Sequence, residues 1–223
     1  MQSQLRFMMT MLVAWITFGT EKSELDNKDR KLIKYLIGHK HTSTLEHNVV
    51  TLKFTVPLFV RSQHHRHRTW SYNEISRRYT DKSLKFYLPK GFRTQHKSNR
   101  QASNPDELTN PAMYPREEYN IVPSNHSSVR DYMQNHILTS LEYYKRMIEV
   151  GVCREQARMI LPQSLYTEYY GTVNLNNLLK FIDLRTHEGA QWEIQKVAQA
   201  CLEIATDLWP VTVGSYRKIR GAK

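Results

Sequence analysis

The sequence predicts an α+β fold in one domain, with strand and helix mixed in the first third and helix over the remainder. Three observations predict it. Residues 48–56 (NVVTLKFTV) alternate apolar and polar side chains, the period of a strand with one buried face. Beyond residue 127, apolar residues recur three and four apart, as in Met133, Ile137, Leu141, Tyr144 and Ile148, the period of an amphipathic helix. The chain has 223 residues, 40% apolar and 24% charged, enough for one sizeable core and too apolar for a disordered chain. Eight glycines and eight prolines exclude collagen-like repeats, and two cysteines exclude a disulfide scaffold.

Taken in order, Met8–Phe18 is an apolar run behind Arg6. It is too short to span a bilayer, and no small-x-small cleavage site follows it. It reads as a buried strand or helix opening the domain of a cytoplasmic protein. Asp26 to Ile37 carries Leu32, Ile33, Leu36 and Ile37 on one helical stripe, with Gly38 as its stop. Asn48 to Val56 is the strand. Pro57 suits the first position of a helix running from Leu58 to Arg68. Ser83 to Leu88 is a second short strand. Residues 92–125, polar and holding four prolines, read as a long loop. Helices follow at Ser127 to Val150, Arg154 to Leu161, Leu165 to Tyr170, Asn176 to Leu184 and Gly189 to Trp209. Gly151, Pro162, Gly171, His187 and Pro210 punctuate them.

Charge is concentrated. The formal net charge is +11, and residues 61–100 hold eleven basic side chains against Glu74 and Asp81 alone. One local region therefore meets an anion. Within it, QHHRHRTWSYNEISRRY (63–79) mixes cations with His, Trp, Tyr, Ser and Asn. On a helix, Gln63 and Arg66 would share a face. In an extended segment Glu74, Ser76 and Arg78 would point the same way. A guanidinium beside a hydroxyl suits a phosphate, and Glu or Gln suits sugar hydroxyls or a base edge. His64, His65 and His67 do not read as a metal site, since adjacent side chains diverge and no ligand-type spacing is present. Neither Cys153 nor Cys201 sits in a nucleophile constellation, and no Walker or GxGxxG loop occurs.

Arg66-His67-Arg68, Ser71, Asn73-Glu74, Ser76 and Arg78 form the pattern RHRxxSxNExSxR. In this the chain resembles the flavin-dependent thymidylate synthases (ThyX). Supporting matches run from about Asp29 to Gln195. They include HTSTLEH (41–47), FRTQ (92–95) with NRQAS (99–103), RMILP (158–162), Asn174, and DLR (183–185) with AQWEI (190–194).

The resemblance implies a homotetramer of α+β subunits whose active sites form where subunits meet. It implies reductive methylation of dUMP to dTMP, with methylenetetrahydrofolate as carbon donor and NADPH-reduced FAD as hydride source. It puts dUMP against Gln63, Arg66, Glu74, Ser76, Arg77, Arg78, Arg158 and Arg185. It puts FAD against Ser43, Arg66, His67, Arg68, Glu74 and Asn174, and at the positions of Asn176 and Lys180. Arg185 falls where the family has a catalytic arginine that stabilises the ionised uracil. Arginine cannot serve as a base near neutral pH, so that role is electrostatic. No metal, nucleic acid or membrane is implied. The chain departs from the family at Asn176, Lys180 and Gly189, and reads VAWITF where the family reads AARVSF. Two other classes fit part of the pattern. One is a nucleic-acid module in which Trp70, Tyr72 and Tyr79 stack on bases. The other is an inactive protein of the same fold.

Overall fold

The computed structural model describes residues 22, 24–113 and 128–221. The Met8–Phe18 run and residues 114–125 of the expected loop lie outside them.

Helix α1 spans Asn27–Gly38, and its start is dictated locally. The Asp26 carboxylate accepts from the amides of Lys28 and Asp29, while Asp29 accepts from the Asp26 amide, a reciprocal capping box. Gly38 is the last helical residue, not the turn. The left-handed position falls on Lys40, at φ 58°, where the amides of Lys40 and His41 return to the carbonyls of Ile37 and Leu36. A single turn, α2 (Ser43–Glu46), leads into β1 (Val49–Pro57). Phe54 and Val56 on the inner face of β1 are buried.

Helix α3 spans Leu58–His64 and stops four residues before the expected end, so Arg66 lies in the turn after it and shares no helical face with Gln63. Strand β2 is Ser71–Glu74. The chain turns over residues 77–79, so the extended register that would align Ser76 and Arg78 with Glu74 ends at the glutamate.

Two expectations change further on. Ser83–Leu88 is not a strand but a segment with one bridge, Phe86 to Leu165. The expected loop contains an antiparallel hairpin, β3 (Phe92–Gln95) with β4 (Ser103–Thr109), bulged between Arg93 and Thr94. Thr94 and Asn104 side chains both donate to Glu107, at 2.6 and 3.1 Å, so polar groups hold its register.

Helix α4 (Val129–Glu149) has a capping box between Ser128 and Asp131. Its end is a Schellman motif. Gly151 (φ 94°) and Val152 donate to the carbonyls of Ile148 and Met147, and Val152 packs into the same apolar cluster as Met147. Helix α5 (Arg154–Ala157) tightens into a 3-10 turn at Arg158–Ile160. Of Leu165–Tyr170, expected as helix, residues 166–170 belong instead to β5 (Tyr166–Asn174), and Leu165 makes the bridge to Phe86. Thr167, Tyr169, Gly171 and Val173 alternate inward and all are buried, which is a strand period. Helices α6 (Leu175–Thr186), α7 (Trp192–Leu208) and α8 (Pro210–Arg220) complete the chain. Pro210 opens α8 at the position where its missing N–H costs nothing.

The sheet runs in the order β1-β5-β2. The described residues pack as two compact units. The first comprises residues 22, 24–52, 65–72 and 170–221. In it α6 packs on α7 and α1 on α8, with Ile33 buried among Leu25, Leu32, Leu36, Ile37 and Val211. The second comprises residues 53–64, 73–113 and 128–169. Its core gathers Tyr144, Ala157, Leu161 and Leu165 around the α4 C-terminus.

The two left-handed turn residues make a paired prediction. A side chain in that conformation costs about 1 kcal/mol relative to glycine. Gly151→Ala meets nothing within 4 Å, so strain alone should lower stability by about 1 kcal/mol. Lys40→Gly should raise it by a similar amount. Urea denaturation monitored by circular dichroism checks both.

Candidate active site

In the second unit a cavity of about 480 Å³ is lined by Arg61, Glu74, Ser76, Arg77, Arg158, Gln163 and Thr167 among apolar residues that include Leu58, Leu161 and Leu165. Four residues expected at a dUMP site therefore share its walls: Glu74, Ser76, Arg77 and Arg158. Glu74 is delivered by the end of β2 and is fixed there. Its Oε1 accepts from Thr167 Oγ1 at 2.6 Å and from Arg61 Nε at 3.1 Å. Thr167 comes from the inward face of β5, and Arg61 from α3. Arg77 donates from Nη1 to the Lys82 carbonyl at 2.8 Å and from Nη2 to the Tyr166 carbonyl at 3.5 Å. Its Nε is buried and has no hydrogen-bond partner among the described residues. Arg158 stands in the 3-10 turn, its Nε donating to the Glu155 carbonyl at 3.3 Å. Three guanidinium groups and one carboxylate leave the cavity electropositive.

Gln63 and Arg78 belong to the same unit but do not line this cavity. Arg78 reaches outward, to Glu155 at 3.0 Å and over the Tyr79 ring. Arg61, Gln163 and Thr167 are site residues that the sequence pattern does not mark. Their only signal is distant: Thr167 and Gln163 follow RMILP, and Arg61 precedes RHR.

The first unit has a second cavity, about 240 Å³, lined by Lys40, His41, Thr42, Asn176, Lys180, Tyr216 and Arg220 with Leu36, Ile37 and Leu45. Asn176 and Lys180, expected at a flavin site, are both here. Asn176 donates to Glu46 at 3.0 Å. Ser43 is exposed at the start of α2, one residue beyond the lining Thr42. Asn174 caps α6, its side chain accepting the Asn177 amide at 3.0 Å. Lysines, an arginine and a threonine hydroxyl around an apolar floor suit the phosphate-bearing part of a cofactor such as FAD, while Arg66, His67, Arg68 and Glu74, also expected at the flavin, do not line this cavity.

Arg66 and Arg68 are exposed in the turn after α3. His67 between them is half-buried, and its Nε2 accepts from Arg185 Nε at 2.9 Å. Burial, then the Arg185 charge, holds the His67 pKa down at about 4. Burial also pulls Arg185 below its ordinary value. Trp70 and Tyr72 stack on each other at 5.9 Å, and Tyr72 stacks on His65 at 4.0 Å. Trp70 and Tyr72 are thus engaged with one another, whereas Tyr79, the third aromatic of the base-stacking reading, is exposed. Cys153 is exposed; Cys201 is buried, and burial pushes its thiol up to about 12. Among the described residues no three His, Cys, Asp or Glu side chains gather as a metal set, and no helix is long and apolar enough to cross a membrane.

Fold and cavities together define an α+β protein with two cavities walled by basic and apolar side chains, one of them holding a fixed carboxylate. A family model described as "Thymidylate synthase complementing protein" matches residues 5–211. Flavin-dependent thymidylate synthases are similar along most of the chain. That of Thermosipho melanesiensis is 38% identical over 86% of this chain and 77% of its own length. One from Thermus thermophilus is 37% identical over 92% of this chain and 69% of its own length. Among solved structures, a UMP/dUMP methylase PolB from Streptomyces cacaoi bound with 5-Br dUMP superposes with a TM-score of 0.74. It is 28% identical, over 95% of this chain and 90% of that one. The chain belongs to the flavin-dependent thymidylate synthase family.

The His67 shift predicts a pH dependence. Its folded pKa lies below the unfolded value near 6.5, so between pH 6.5 and about 4 the unfolded chain binds a proton that the folded chain refuses. Stability contributed by neutral His67 is complete above pH 6.5 and declines as the pH falls to about 4. His67→Gln, which does not titrate, should show a shallower loss across that window in chemical denaturation series.

Proposed function

We propose that this chain is a FAD-dependent thymidylate synthase that methylates dUMP reductively to dTMP, with methylenetetrahydrofolate as carbon donor and NADPH as reductant. The observation that carries the reading is the convergence of Glu74, Ser76, Arg77 and Arg158 on one cavity. The relatives named as flavin-dependent thymidylate synthases and the neighbour bound with 5-Br dUMP support it.

In this reading Arg77 and Arg158 bind the dUMP phosphate, and the Ser76 hydroxyl adds a donor. Guanidinium forks suit phosphate oxygens, and the Lys82 and Tyr166 carbonyls hold the Arg77 fork in place before substrate arrives. Glu74 accepts from sugar or base donors, its Oε1 pinned by Arg61 and Thr167. FAD, when bound, supplies the hydride; Lys40, Thr42, Asn176, Lys180 and Arg220 would hold it, with Ser43 and Asn174 beside them. Arg185 faces the uracil ring and stabilises the anion that makes C5 nucleophilic. A fixed cation gains most where water is excluded. No enzyme thiol is then required.

The remaining members of the expected set, Gln63, Arg66, Arg78 and Arg185, serve sites completed by another copy of the chain. The assembly is a homotetramer, as the family resemblance implies, working in the cytoplasm. Incubating the flavin-loaded protein with dUMP, methylenetetrahydrofolate and NADPH, and separating nucleotides by chromatography, tests the reading. The expected product is dTMP; its absence from protein that binds FAD and dUMP overturns the reading.

Two mutational outcomes follow from the roles. Arg158→Ala removes binding common to ground and transition states. It should raise the dUMP KM by about tenfold and leave kcat nearly unchanged, whereas Arg185→Ala should lower kcat by about a hundredfold. Steady-state kinetics with flavin content checked by absorbance separates the two. Cys153→Ser combined with Cys201→Ala should keep thymidylate formation and cost about 1–2 kcal/mol of stability from the buried site; thermal melting and the same assay check it.

A further inference from the structure

We propose that His67 is a positioning residue for Arg185, fixing the plane of the guanidinium through the bond from Arg185 Nε to His67 Nε2 at 2.9 Å. The inference rests on the reading of Arg185 given above. Arginine has donors only, so His67 must accept. The ring is therefore neutral, with its proton on Nδ1. A protonated ring would put two cations in contact.

The fold supports that arrangement from one helix face. Phe181 and Arg185 stand four residues apart on α6, so their side chains are neighbours. Phe181 is fully buried and meets the His67 ring edge-on, with centroids 4.8 Å apart and planes at 90°. Trp70 meets Phe181 in turn at 5.7 Å. His67 is thus clamped by packing on one side and holds Arg185 by its lone pair on the other. An arginine has four side-chain torsions, and freezing them costs about 2 kcal/mol. A bond to Nε fixes the plane in which the Nη1 and Nη2 donors lie. The flanking Arg66 and Arg68 and the bonded Arg185 form a cationic setting that favours the neutral imidazole.

The test uses the full chain as wild type, His67→Leu and His67→Gln. Glutamine can place an amide oxygen near the Nε2 position; leucine keeps volume without an acceptor. One readout is the Arg185 Nε–H resonance in a proton–nitrogen spectrum, identified by its loss in Arg185→Lys. The other is kcat and dUMP KM with bound flavin measured by absorbance. We expect His67→Leu to shift the resonance and, at saturating added FAD, to lower kcat about tenfold with the dUMP KM within about twofold of wild type. His67→Gln should restore most of both. In an Arg185→Ala background His67→Leu should cost nothing further, because the two act as a unit. An unmoved resonance, an unchanged kcat in His67→Leu, or the same penalty in the Arg185→Ala background overturns the proposal. If no form makes dTMP, the functional reading fails and the resonance alone decides the pair. Should His67→Leu fail to fold, His67→Asn, too short to reach, takes its place.

Discussion

Three guanidinium groups and one carboxylate share the walls of one cavity, and that surplus of positive charge organises the second unit. Like charges at contact distance repel by several kcal/mol at a protein surface, so each must be held or answered. Arg61 is answered by Glu74. Arg77 is tethered by two carbonyls and Arg158 by one. Arg77 and Arg158 are thus held by carbonyls rather than by a carboxylate of this cavity. In the proposed reading an incoming phosphate answers them. The apolar side chains of Leu58, Leu161 and Leu165 line the same cavity and lower its dielectric, which strengthens that attraction.

The first unit solves a different electrostatic problem. His67 and Arg185 both lie where burial disfavours charge. Only one can be charged, and the histidine yields because its proton is far the easier to lose. The neutral ring then becomes an acceptor for the arginine. One desolvated site thereby holds a cation and the neutral acceptor bonded to it.

Legibility from sequence followed the physics of each element. Helices α1 and α4 were readable from their apolar stripes, Leu32–Ile37 and Met133–Ile148, and the Asp26–Asp29 and Ser128–Asp131 capping boxes explain why they start within two residues of the expected places. The 92–109 hairpin was not, because its faces are polar and hydrophobic alternation is absent; its register comes from Thr94, Asn104 and Glu107. Strand β5 was hidden by Gly171, which looks like a breaker but sits in the inward row with Thr167, Tyr169 and Val173. Pro210 reads equally as a stop and as the first residue of α8. At the site, Glu74 and Ser76 were legible through a long motif that no periodicity explains, Arg77 through its place inside that motif's span, and Arg158 through the separate RMILP match. Arg61, Gln163 and Thr167 were not, since their role arises only when α3, β2 and β5 meet.

The claim that the Glu74–Arg158 cavity is the nucleotide site can be tested by soaking crystals of the protein with 5-bromo-dUMP and locating the bromine by its anomalous signal. Bromine is predicted in that cavity, with the phosphate against Arg77 and Arg158 and the nucleotide within hydrogen-bond reach of Glu74. Bromine bound elsewhere, with this cavity empty at saturating nucleotide, would contradict it.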